Sequence, residues 1–521
     1  MNMKFAKAFV GIVLLLMVTS CQDALEEKYA NPEQTEQASV GKFFTRMLNN
    51  DRVRPSYWNV RTFLMAHPAV YTKTVSFTNS NRRYQQQLSY VDDFWRDYYT
   101  PTGSGIVAHL REIEKAYAAS TADQKMRDEV YIHASRIVYA DQTAQMVDLW
   151  GDLPFSQAGK LNLEGESFPP KFDDAVEIYT TLLEFLEESA TYFKNVALES
   201  TVEAAFKRQD ILLKGNLDKW ERYANSLRLR LLMRISFQNE NKAQTEVMTM
   251  LNDPANFPLV DAASFDILLD PLTTYNDNMR NALTELASHL APEFLLDEIL
   301  KPANDPRIRV WFDKGVSQGT PNADYFSMPD DISSSEQESN ISKGKYAILD
   351  SATYLFNKKF PGIVFTSAEI NFLKAEAHER WGNTADAKTA YDKGVTDAVR
   401  FLFAMNTLGE GQEDALQQTE LDDLLASASV TYSGTEAELL EKIWTQKWLS
   451  FGFMQSIQGW AELRRTNTPA LDFLPDTSTP EAELPPMRLL YPSTEKTYNA
   501  TNYADVAAKD KTTMSLFWDI D

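Results

Sequence analysis

Apolar residues recur every three to four positions along much of this chain, and the recurrence stops at a few sharp breaks. Ile106–Ala118 and Gln124–Leu149 carry the spacing through two long segments, which predicts two helices. Trp150-Gly151-Asp152-Leu153-Pro154 ends the second, because glycine and proline together stop a helix. Asp173–Lys194 follows, with Asp173 as its expected N-cap and Ile178, Leu182, Phe185 and Leu186 on one face. In Leu217–Phe237, Trp220, Tyr223, Ala224, Leu227, Leu231 and Ile235 form one stripe. Ala368–Trp381 and Thr384–Phe403 make a helix pair broken by Gly382-Asn383, and Glu436–Arg465 is the last periodic segment. The first member of that pair is apolar on two faces: Ile370, Leu373, Ala377 and Trp381 on one, Phe372 and Ala375 on the other. Such a helix is sandwiched between neighbours, as in a repeat array. Ala375, Ala387, Tyr391 and Gly394 sit where a tetratricopeptide repeat takes small, small, aromatic and small residues, whereas Asn371 and Lys374 depart from that pattern.

The expected fold class is therefore mainly α, with tetratricopeptide-repeat-like helix pairs packed against a loop-rich, irregular half. The repeat-like helices fall at about 106–237 and 368–465, and the loop-rich regions at about 50–95 and 250–365, with a further irregular stretch over 466–516. Loops this long in a stable protein carry binding surface.

The greasiest run lies at the start. Lys4 and Lys7 precede the apolar stretch Ala8–Val18, which has the length of a signal-peptide core and is too short to span a bilayer. Val18-Thr19-Ser20 leads into Cys21, the one cysteine of the chain. Small residues before a cysteine resemble a bacterial lipobox, so residues 1–20 read as a lipoprotein leader and Cys21 as the acylated residue. The plainer reading is a secretory leader with an incidental cysteine, but that would carry a lone thiol into an oxidising compartment. Residues 21–40 read as an acidic, flexible tether, and residues 41–521 as a single binding domain.

Composition narrows the function. The net charge is −23, and losing Lys4 and Lys7 with the leader makes the rest more acidic still. No Lys/Arg-rich run exists to meet phosphates, so nucleic acid is not an expected partner. His67, His109, His133, His289 and His378 never fall at metal-binding spacings. No Gly-x-Ser-x-Gly elbow and no glycine-rich phosphate loop occurs. Asp330-Asp331 and the Glu336/Glu338 cluster lack the pattern of a calcium loop and read as solvated acids. No metal and no cofactor is expected.

Several runs together resemble the SusD/RagB family of outer-membrane nutrient-binding lipoproteins, in its SusD-like branch. They are MVDLWGDLPFSQA (Met146–Ala158), DILLKGNLDKWERYANSLRLRLLMRIS (Asp210–Ser236), SAEINFLKAEAHERWGNTADAKTAYDKG (Ser367–Gly394), KIWTQKWLSFGFMQSIQGWAELRRT (Lys442–Thr466) and Asp305-Pro306-Arg307. They recur in family order from about residue 90 to 471. The resemblance implies a mostly helical surface lipoprotein that sits on a TonB-dependent transporter barrel, the SusC-like partner. It implies capture of a glycan or peptide without catalysis.

Ten tryptophans must be placed. Trp150, Trp220, Trp381, Trp444, Trp448 and Trp460 lie within the family runs and read as core. Sugars stack their CH faces on exposed rings, and the resemblance puts such rings in the two loop-rich regions. The candidate ligand residues are Tyr57, Trp58, Tyr84 and Trp95 in the first region, and Trp311, Tyr325 and Tyr346 in the second. Arg234, flanked by Arg228 and Arg230, and the pair Arg464-Arg465 read as parts of a buried ion-pair network rather than as a ligand clamp. The expected function is binding of a nutrient, foremost an oligosaccharide, at the cell surface and its delivery to the transporter. A peptide-binding relative, or a glycoside hydrolase with two carboxylates roughly 5 to 10 Å apart, is the alternative.

Overall fold

The four strongest helical patterns fold as helices: Ala122–Trp150, Leu217–Arg234, Ser367–Trp381 paired with Thr384–Leu408, and Glu436–Phe451 followed by Ser456–Thr466. The computed structural model describes residues 39–76, 82–101, 104–160, 169–275, 277–285 and 289–519. The leader, Cys21 and nearly all of the expected tether lie outside these residues. Residues Val40–Asp521 pack as one unit. Among the described residues helices dominate, strands run only two to four residues, and no helix is long and apolar enough to cross a membrane.

Local chemistry sets most helix ends. Thr121 and Gln124 form a reciprocal capping box ahead of Ala122–Trp150, and Gly151, at φ 80°, ends that helix. Asn383 caps Thr384–Leu408, accepting from the Asp386 N–H. One expectation is corrected by a residue: Asp174, not Asp173, caps the Ala175–Asn195 helix by accepting from the Val176 N–H. Asp173 instead lies in the short strand Phe172–Asp173, paired with Leu153–Pro154, where its carboxylate accepts from the Ser156 N–H (2.7 Å) and the Phe155 N–H (3.1 Å). The segment expected to run to Phe237 ends at Arg234.

The pair Ser367–Trp381 and Thr384–Leu408 is packed closely because Gly394 lets it be. A Cβ there would stand 2.8 Å from the Phe372 ring. Ala375 and Ala387 are buried at the same interface. Trp150, Trp220, Trp448 and Trp460 are fully buried, and Trp381 and Trp444 pack at the edge of the same core.

The arginines form the expected ion-pair network. Arg230 holds Glu369 at 2.6 Å and Asp141 at 3.2 Å. Arg234 reaches Glu462 (2.6 Å), Gln458 (2.8 Å) and Asp148 (3.3 Å). Arg465 holds Glu376 (2.7 Å) and Glu462 (2.8 Å), and Lys447 approaches Glu462 at 2.5 Å. Arg464 donates instead to the carbonyls of Asp148 and Met487, both at 2.7 Å. These buried groups tie five helices together in the interior.

Candidate functional site

Trp58 exposes 71 % of its surface, more than any other tryptophan among the described residues. It begins a π-helical turn, Trp58–Leu64. Pro55 and Ser56 lead into the turn; the Ser56 hydroxyl accepts the Asn59 N–H (3.1 Å), and the Asn59 side-chain amide donates to the Arg52 carbonyl (2.8 Å). A π-helical turn is wider than an α-turn and recurs at functional sites. Here it leaves the Trp58 ring outside the core while Val60, Phe63 and Leu64 point in.

The Tyr57 ring stands against Trp58, with centroids 5.2 Å apart at 86°. Its hydroxyl donates to Glu285, on the helix Asn278–Glu285, and Arg61 meets the same carboxylate at 3.3 Å. The hydrogen bond from Tyr57 holds the Glu285 carboxyl below its ordinary range and pushes the Tyr57 phenol up. Opposite, the helix Leu88–Tyr99 supplies Tyr90, Asp93, Phe94, Arg96 and Asp97. Phe63 and Phe94 stack at 3.5 Å and 7°, so they join the two walls at the floor. The Arg52 guanidinium lies 3.6 Å from the Phe94 ring centroid and donates to the Phe94 carbonyl at 2.8 Å. Burial pulls its pKa down to about 10, against the opposing charge of Asp97.

These walls enclose a cleft of about 540 Å³, within the range of small-molecule sites. One exposed indole, two phenols, three carboxylates, two arginines and the Asn278 amide face or border it. An apolar platform ringed by hydrogen-bonding groups is the chemistry that a sugar needs, with its CH face on the ring and its hydroxyls on the polar rim.

The candidate residues divide sharply. Tyr57 and Trp58 come together at this cleft. Tyr325 is half-buried and borders a second cleft of about 760 Å³ with Lys301, Arg309 and Glu420. The cations there are already engaged, Lys301 with Asp297 at 2.8 Å and Arg309 with Glu420 at 2.7 Å. The other four rings offer no face to a ligand. Trp95 and Trp311 expose 3 % each, and Tyr84 and Tyr346 2 % each. Trp95 packs edge-on against Trp150 and donates its indole N–H to Glu495 (3.2 Å). Trp311 stacks with Phe312 and lies over Gly452. The Tyr84 hydroxyl donates to the Leu474 carbonyl (3.1 Å), and the Tyr346 hydroxyl accepts from Asn340 (2.9 Å). Tyr90, Asp93, Asp97, Arg52 and Asn278 had not been singled out. Tyr90 and Phe94 are one helical turn apart, a spacing that was readable but that does not say which side faces solvent.

Among the described residues one trio of carboxylates, Asp313, Asp350 and Glu413, lies within 4.8 Å of one another. Asp313 accepts from the Ser351 N–H (2.9 Å) and hydroxyl, while Asp350 accepts from the Thr353 N–H (2.6 Å) and Asn406 (2.9 Å). Burial pushes Asp350 up to about 6. These bonds give Asp313 and Asp350 a role in holding the loop. Asp330, one of the loop acids, pairs with Lys73 at 3.1 Å.

The same fold occurs in solved structures. A SusD homolog from Bacteroides fragilis superposes with a TM-score of 0.73 at 19 % identity, covering 92 % of this chain and 100 % of that one. A chitin-binding SusD homolog from Flavobacterium johnsoniae gives 0.70 at 19 % identity, over 92 % and 99 %. A comparison with curated protein sequences gives no match. A family model described as starch-binding and associating with the outer membrane matches residues 32–492. With that match spanning most of its length, the chain belongs to the SusD-like family.

Proposed function

We propose that this protein is a cell-surface lipoprotein that binds an oligosaccharide at the Trp58 cleft and hands it to a TonB-dependent, SusC-like outer-membrane transporter. SusD-like proteins bind carbohydrate without turning it over, and the chain is not an enzyme. The observation that carries the ligand assignment is the Trp58 ring, exposed beside Tyr57 at the mouth of a polar-rimmed cleft. A glucan or a chitin-type glycan fits the family description and the Flavobacterium neighbour. Both ligand types present pyranose CH faces for stacking and equatorial polar groups for hydrogen bonding. Affinity is modest, because on one open platform the ordering of the sugar and the desolvation of the polar rim offset much of the stacking free energy.

A panel titration of the mature chain tests this reading. Maltohexaose or chitohexaose is expected to bind, and tri- to hexapeptides are not. Binding of peptides alone would transfer the assignment to the peptide-capturing alternative. Turnover of the bound sugar would instead restore the hydrolase.

Cys21 carries the anchor in this reading. Cys21→Ser is expected to release the protein from the outer-membrane fraction and to abolish incorporation of labelled fatty acid. A Cys21→Ser chain that remains membrane-bound and acylated would remove Cys21 as the anchor.

A further inference from the structure

His67 is fully buried, contributes nothing to the lining of the cleft, and makes two hydrogen bonds that join the cleft's walls. We propose that His67 is a positioning residue for the glycan cleft: its imidazole ties the π-helical wall that carries Trp58 to the helical wall that carries Tyr90 and Asp93. The proposal rests on the reading of that cleft as the ligand site.

The bonds themselves assign the tautomer. Nδ1 lies 3.2 Å from the Phe63 carbonyl, which can only accept, so Nδ1 carries the proton. Nε2 lies 3.0 Å from the Gln87 backbone N–H, which can only donate, so Nε2 offers its lone pair. Phe63 belongs to the π-helical turn Trp58–Leu64, and Gln87 is the N-cap of Leu88–Tyr99. Gln87 makes no side-chain cap of its own. One neutral imidazole therefore bonds a carbonyl near the end of the first wall, which also accepts the His67 backbone N–H (3.1 Å), and the first N–H of the second wall.

The walls also meet through the face-to-face stack of Phe63 on Phe94 and through Arg52, whose guanidinium donates to the Phe94 carbonyl (2.8 Å) while its own carbonyl accepts from the Asn59 side chain (2.8 Å). Stacked rings resist separation but slide at little cost, whereas two hydrogen bonds to backbone groups are directional. The imidazole thus adds, at the start of the second wall, a directional tie that the stack lacks and that Arg52 makes only further along the helix. It stays neutral in ordinary buffers, since burial pulls its pKa down to about 4 with the Phe63 carbonyl opposing weakly. Its other neighbours are the rings of Phe63 and Tyr71.

Three variants of the full chain test the assignment. His67→Leu keeps the bulk and neither bond. His67→Gln keeps one donor and one acceptor on a planar head. His67→Asn is polar but too short to span both partners. Each is titrated with chitohexaose and maltohexaose, and amide hydrogen exchange is followed without ligand over residues 58–65 and 87–93. His67→Leu and His67→Asn are expected to weaken binding by about tenfold, the loss of two directional bonds. They are expected to speed exchange in those two segments while leaving Ser367–Leu408 at its wild-type rate. His67→Gln is expected to restore both. Should His67→Leu fail to fold, His67→Asn against His67→Gln decides.

Wild-type exchange and affinity in His67→Asn, or no recovery in His67→Gln, would overturn the proposal. A wild-type chain that binds neither sugar would overturn the glycan reading on which it rests. The exchange rates would still decide, without ligand, whether His67 joins the two walls.

Discussion

Glu462→Ala is expected to lower the unfolding free energy by about 3–5 kcal/mol, the usual cost of leaving buried charges without their partner. The Glu462 carboxylate receives Arg234 at 2.6 Å on one oxygen, and Arg465 at 2.8 Å and Lys447 at 2.5 Å on the other. All four groups are shielded from water. Without Glu462, Lys447 keeps only a distant approach to Glu376, at 3.9 Å, and Arg234 keeps Asp148. Burial alone would raise the Glu462 pKa, yet Arg465, Lys447 and Arg234 overcome it and hold the carboxyl well below its ordinary range. The sign of the pH dependence follows. A carboxyl whose folded pKa is depressed contributes its full stability above its unfolded pKa, near 4.3. That contribution is lost as the pH falls through the folded value. Urea melts should show the midpoint shift at pH 7, and below about pH 4 the gap between wild type and Glu462→Ala should narrow. A midpoint shift worth less than about 1 kcal/mol would mean that the network relaxes to solvent.

Trp58→Ala is expected to weaken oligosaccharide binding by about ten- to a hundredfold, as expected for truncating an aromatic anchor worth roughly 1.5–3 kcal/mol. The ring is almost free of the core, so the melting curve should hardly move, by about 0.5 kcal/mol at most. Trp95→Phe should behave in the opposite way. Its indole is buried against Trp150 and donates to Glu495. Its loss should therefore destabilise the fold by about 1–3 kcal/mol while glycan affinity stays within about twofold. The pair of variants separates a ring that meets ligand from a ring that belongs to the core.

The helices were readable because their periodicity is a local signal. Leu217–Arg234 and Ser367–Trp381 bury the stripes that their sequences display, and Gly394 opens onto Phe372 as the repeat pattern requires. Asp173 is expected as the cap because the local pattern does not tell it from its acidic neighbour; the Ser156 N–H donates to Asp173, and Asp174 caps the helix. The loop aromatics were harder for a physical reason. The partners that bury Trp95 lie at Trp150 and Glu495, those of Tyr84 at Leu474, and that of Trp311 at Gly452. No periodicity runs through the irregular half to say which side of a loop meets those distant segments. Trp58 and Tyr57 were singled out as a neighbouring ring pair. The acids and the arginines around them were not, because the π-helical turn that exposes Trp58 leaves no mark in the hydrophobic pattern.

The structure of the protein with a bound hexasaccharide decides the account. It should place one pyranose flat on the Trp58 indole, with carbon contacts at about 4 Å and hydroxyls within reach of Asp93, Asp97 or Asn278. A sugar seated instead beside Tyr325, or at any face with Trp58 left bare, would contradict it.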